Sequence, residues 1–67
     1  MKKTFNVHFN DSENSSDKGF AMSKQECIDY IERYNGTNES YFEDYKGGMV
    51  SVVCNETGET VYETEVL

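Results

Sequence analysis

The stretch SKQECIDYIERYNG, residues 23–36, is the segment of this 67-residue chain that carries helical signals at both ends, and it leaves the rest to strands and turns. Ser23 followed three residues later by Glu26 forms a capping box. Met22 is placed to staple onto Cys27, and Gly36 stands where a helix ends in the left-handed region. Cys27, Ile28, Ile31 and Tyr34 recur at helical spacing and make one apolar stripe, which requires a single surface to lie on. Asp29 and Arg33 lie four apart on the wet side, a pair worth only about a few tenths of a kcal/mol.

Strand patterns surround the helix. In TFNVHFN, Phe5, Val7 and Phe9 alternate with Thr4, Asn6, His8 and Asn10, which predicts a half-buried first strand. The polar DSENSSDKG reads as a loop, with GFAM (19–22) returning as a short second strand. After the helix, residues 37–67 predict a meander of up to three strands at about 40–45, 48–54 and 59–66. A three-residue turn over Glu56, Thr57 and Gly58, with Gly58 left-handed, pairs Cys54 with Thr60, Val52 with Tyr62 and Val50 with Thr64.

That register gives the last hairpin two unlike faces. Val50, Val52, Cys54, Thr60, Tyr62, Thr64 and Val66 point toward the helix stripe. The other face carries Met49, Ser51, Val53 and Val61 beside Glu59, Glu63 and Glu65, with Val53 and Val61 as a cross-strand pair inside a row of carboxylates. In the 40–45 segment a strand puts Tyr41, Glu43 and Tyr45 inward and Phe42 outward, which leaves a glutamate on the inner side. The expected architecture is α+β: one domain over 1–67, a single helix packed on one face of a four- to five-stranded antiparallel sheet, in the order β-β-α-β-β-β.

A chain this short sits where one core only just outweighs chain entropy. Its five Tyr and four Phe argue for folding despite a mean hydropathy of -0.78, either alone or as a homodimer. The net charge is -7. Its field repels phosphates and anionic lipids, so direct binding of nucleic acid or membrane is not expected. Residues 1–34 hold six acids against five bases, whereas 35–67 hold seven acids against Lys46 alone. MKKTFNVHF has no apolar run of the kind a leader needs, no stretch reaches membrane-spanning length, and Cys27 and Cys54 show no scaffold spacing; a cytoplasmic setting with free thiols is expected. The sequons at Asn10, Asn14, Asn35, Asn38 and Asn55 then read as turn chemistry.

The motifs that invite chemistry are incomplete. DSENSSDKGFAM resembles a calcium loop in placing Asp11, Glu13 and Asp17 at its first, third and seventh positions, but Ser16 stands where glycine is needed and Met22 where a closing glutamate is needed. Zinc would have to draw on His8, Cys27 and Cys54 from separate elements. No nucleophile, base and orienting group fall together, and KGG lacks the spacing of a phosphate loop. No catalytic residue, metal or cofactor is expected. The tyrosines of SYFEDY suit a core rim, with buried rings and wet hydroxyls.

What remains is the acidic hairpin face. Charge on an exposed sheet keeps a small domain soluble and discourages edge pairing; it also fits a basic partner. The expected function is a non-enzymatic protein–protein interaction module that binds a basic protein through Glu59, Glu63, Glu65, Val53 and Val61, with Phe42, Glu43 and Asp44 alongside. Glutamates two apart on a strand are spaced by roughly 6.6 Å, close to successive phosphates, so imitation of nucleic acid toward a DNA- or RNA-processing enzyme is the alternative. A homo-oligomer formed by edge-strand pairing is a third.

Overall fold

The computed structural model describes residues 3–67; Met1 and Lys2 lie outside the described residues. The chain is α+β: β1 (Phe5–Asn10), β2 (Ser15–Asp17), α1 (Lys24–Tyr34), a single helical turn α2 (Tyr41–Asp44), β3 (Met49–Cys54) and β4 (Thr60–Glu65). The strands form one antiparallel sheet in the order β2-β1-β3-β4, with α1 lying over its central strands β1 and β3.

The helix begins as its sequence requires. Glu26 N–H donates to Ser23 Oγ at 3.1 Å and Ser23 N–H donates to Glu26 Oε1 at 3.0 Å, which completes the capping box. Gly36, at φ 90°, follows its C-cap Asn35. Cys27 and Ile31 are buried, while Ile28 and Tyr34 pack at the margin. On the wet side Asp29 accepts from Gln25 Nε2 at 2.9 Å.

Two expected strands take other forms. Asp11 Oδ1 accepts the N–H groups of Glu13 and Asn14 at 2.8 and 2.7 Å, and Asp11 N–H donates to Asn14 O. This Asx turn reverses the chain at once. The return strand is therefore Ser15–Asp17, in register with His8–Asn10, and not 19–22. Residues 19–22 contribute only an isolated bridge between Phe5 and Met22. The second correction is at 40–45, where the chain turns helically instead of extending. A helical turn sets Tyr41 and Tyr45 one above the other and lets Phe42 point inward as well, while Glu43 and Asp44 stay exposed. No carboxylate then has to be buried, so four strands form and not five.

The core is built from the inner positions of β1 and β3, which face each other in register as Val7–Val52 and Phe9–Val50. These four side chains are fully buried together with Cys27, Ile31, Phe42 and Val66. Each large apolar side chain sealed in this way contributes about 1.5–3 kcal/mol.

Candidate functional site: the outer face of the sheet

The hairpin β3–β4 follows the expected register at its base and departs from it at its tip. Val50 pairs with Thr64 and Val52 with Tyr62, but Val53 then pairs with Thr60, leaving Val61 as an extra residue. The cause is a longer loop. Cys54 N–H donates to Glu59 O and Gly58 N–H donates to Cys54 O, both at 2.8 Å, so four residues, Asn55 to Gly58, make the connection, with Gly58 at φ 77°. The ladder slips by one residue at the tip, and the bulge at Val61 absorbs the slip.

A one-residue slip exchanges the faces of a strand. Glu63 and Glu65, which lie beyond the bulge opposite Ser51 and Met49, keep the outer face and are exposed. Thr60, opposite Val53, takes the place expected of Val61. Val61 itself packs against the core beside Tyr62, so the Val53–Val61 pair does not form. Glu59 is exposed at the tip, outside β4 and off the row that Glu63 and Glu65 define. Phe42 is 0% exposed and offers nothing to a partner. Glu43 and Asp44 are exposed on α2, away from the strands. Of the residues singled out from the sequence, the fold thus gathers Glu63, Glu65 and the half-buried Val53 on one face.

Pairing adds neighbours that no local pattern reveals. Across the four strands, Asp17, His8, Ser51 and Glu63 form one cross-strand row; Ser15, Asn10, Met49 and Glu65 form the next. Asn6 lies beside Val53. No strand position carries a lysine or arginine, and acids stand at both sides of the row, Asp17 on β2 and Glu63 on β4. Asp17, His8 and Ser51 invite comparison with a nucleophilic triad. However, Ser51 is only 4% exposed, and its hydroxyl donates at 3.4 Å to the main-chain carbonyl of His8, not to the imidazole.

The other chemistry-bearing cluster lies in the helical layer. Lys18 Nζ donates to Ser40 Oγ at 2.6 Å and sits 5.2–6.0 Å from the ring centres of Phe20, Tyr30 and Tyr41. Lys18 thereby ties the segment after β2 to the loop before α2. Burial, then the charge of Glu39, pushes the Tyr30 phenol up. A shallow cleft of about 390 Å³ beside this cluster is lined by Phe20, Met22, Tyr30, Tyr34 and the helix's polar side chains; it does not adjoin Glu63 or Glu65.

The thiols and the acidic loop belong to the fold. Cys27 is fully buried, and burial, with Glu26 second, raises its pKa; a buried protonated thiol is a poor nucleophile. The hydroxyl of Thr57 holds the Cys54 thiol below its ordinary value. Asp11 spends its carboxylate on the turn that creates β2. Among the described residues, no three His, Cys, Asp or Glu side chains are grouped so as to hold a metal ion, and no helix is long and apolar enough to cross a membrane. Comparisons with protein-family models, curated proteins and solved structures return no match to this chain.

Proposed function

We propose that this chain is a non-enzymatic protein-binding module that takes a basic protein partner on the outer face of the sheet, at its β4 side, in a cytoplasmic setting. One observation carries the reading: Glu63 and Glu65 stand exposed on an uncovered face whose strand positions include no lysine or arginine. A face of one sign attracts an oppositely charged partner, speeds its encounter and rejects like-charged competitors. Met49 and Val53, half-buried between the acids and β1, supply a modest apolar contact. Glu59 stands exposed at the hairpin tip, off this row.

Partner capture from the native host, repeated with Glu59, Glu63 and Glu65 all reversed to Lys, tests this. The basic partner is expected to bind the parent chain with affinity that falls steeply with salt, and to be lost from the variant while its circular dichroism stays unchanged. Equal recovery by both proteins removes the proposal. Competition with duplex or single-stranded DNA separates the two kinds of partner. Displacement by DNA identifies a nucleic-acid-binding enzyme and hence mimicry, and indifference to DNA identifies another basic protein.

A further inference from the structure

β4 is an edge strand, and its hydrogen-bonding groups divide cleanly. Val66 N–H donates to Gly48 O at 2.9 Å. By the alternation of an antiparallel ladder, Thr64 and Tyr62 turn their N–H and C=O groups toward β3, and Glu63, Glu65 and Leu67 turn theirs to the open edge. Part of that edge is occupied by a side chain. Asn35, the C-cap of α1, donates from Nδ2 to Glu65 O at 3.0 Å and accepts from Leu67 N–H at its Oδ1 at 2.9 Å. A carbonyl and the N–H two residues on are the pair that one residue of a neighbouring parallel strand would engage, so the carboxamide stands in for a strand. Among the described residues, none takes up the groups of Glu63 or the N–H of Glu65, and the bulge at Val61 limits the free edge on the other side.

We infer that this edge receives an extended basic segment of the partner as an added strand, with Asn35 as a place-holder that yields its two hydrogen bonds when the segment docks. The inference rests on the acidic-face reading above and names how the partner is held. Strand addition draws affinity from main-chain hydrogen bonds and specificity from alternate side chains. Here the alternate side chains next to the edge are Glu63 and Glu65, so the complementary strand carries Lys or Arg at every second position. A second copy of β4 is a poor occupant, because pairing centred on Glu63 sets glutamate against glutamate.

The test uses the full chain, labelled with ¹⁵N, and two acetylated and amidated heptapeptides of the same composition, KTKTKTK and KKKKTTT. The alternating peptide is expected to bind, to slow exchange of the Glu63 and Glu65 amides, and to bind Asn35→Ala roughly three- to tenfold more tightly because the competing carboxamide is gone. Asn35 has φ -64° and ψ 131°, which alanine adopts freely, and its N–H bond to Ile31 O is retained. Binding that shifts the glutamate side chains but leaves those amides unprotected, or that is equal for both peptides and unaffected by Asn35→Ala, overturns strand addition and leaves the acidic face standing. Failure of both peptides to bind overturns strand addition and the acidic face together.

Discussion

The ring of Phe42 meets that of Phe9 edge to face, with centres 4.9 Å apart and planes at 86°. This contact joins α2 to the sheet. Tyr30 packs on Phe42 from the helix side at 5.7 Å, and Tyr41 and Tyr45 pack on Phe9, so rings run continuously from α1 through α2 to β1. Phe42→Ala is expected to cost about 3–5 kcal/mol, against a total stability of roughly 3–10 kcal/mol for a chain of this size. The variant should melt far below the parent. Phe42→Leu should remain folded with a lower thermal midpoint. A Phe42→Ala protein whose midpoint matches the parent's would mean that α2 is not part of the cooperative unit.

The same contact shows where the sequence was legible. β1, α1 and the base of the hairpin follow from patterns within a few residues: alternation at Phe5, Val7 and Phe9, the Ser23–Glu26 box, and the pairing of Val50 and Val52 with Thr64 and Tyr62. SYFEDY has no such internal answer. Its three aromatics satisfy neither period strictly, and only the presence of Phe9 and Tyr30 on other elements makes the helical turn the one that buries Phe42. The site followed the same division. Exposure of Glu63 and Glu65 was readable from the hairpin, whereas loss of the Val53–Val61 pair depended on a loop longer by one residue, and the row Asp17, His8, Ser51, Glu63 depended on non-local pairing of β1 with β2 and β3.

Gly47 and Gly48 should differ sharply although they are neighbours. Gly47 has φ 87° and open space around it, so Gly47→Ala strains one left-handed residue, a cost of about 1–2 kcal/mol. A Cβ on Gly48 would collide with the main-chain carbonyl oxygen of Asn10 and press on Tyr45 O at 3.1 Å. Main-chain atoms cannot swing aside, so Gly48→Ala should destabilise by more than Gly47→Ala and disturb the β1–β3 register. Urea titration of the two variants checks the order, and the reverse order would contradict the close approach of residue 48 to β1.

Ser40 holds φ 51° and ψ -130°, a conformation that favours glycine, while its hydroxyl accepts from Lys18. Such a residue stores about 1–3 kcal/mol of strain. Ser40→Ala keeps the strain and loses the hydrogen bond; Ser40→Gly loses the bond and relieves the strain. The alanine variant should therefore melt below the glycine variant. Lys18→Met, which retains the aliphatic stem but not the ammonium, should lose about 1–2 kcal/mol from the cation–π and hydrogen-bond contacts together. Thermal melts of the three proteins under one buffer decide the matter, and equal midpoints for Ser40→Ala and Ser40→Gly would refute the strain.

Glu56 fastens the tip of the hairpin to the start of β1, and this attachment should make stability depend on pH. Thr4 N–H donates to Glu56 Oε1 at 2.9 Å and Thr4 Oγ1 donates to Oε2 at 3.3 Å, with the main-chain bond the larger cause of a carboxyl pKa below its ordinary value of 4.5. A folded-state pKa that is depressed contributes stability above the unfolded value, and that contribution disappears as pH falls through the folded value. Asp11, lowered by the N–H groups of Glu13 and then Asn14, acts in the same direction. Acidification also relieves repulsion among the other carboxylates, but this relief is shared by parent and variants and cancels in their difference. Glu56→Gln should lower the thermal midpoint at pH 7 and lose less of it between pH 5 and 3 than the parent does. Asp11→Asn with Glu56→Gln should be flatter still. Parallel curves for parent and Glu56→Gln would show that the Thr4 contact does not hold the tip in solution.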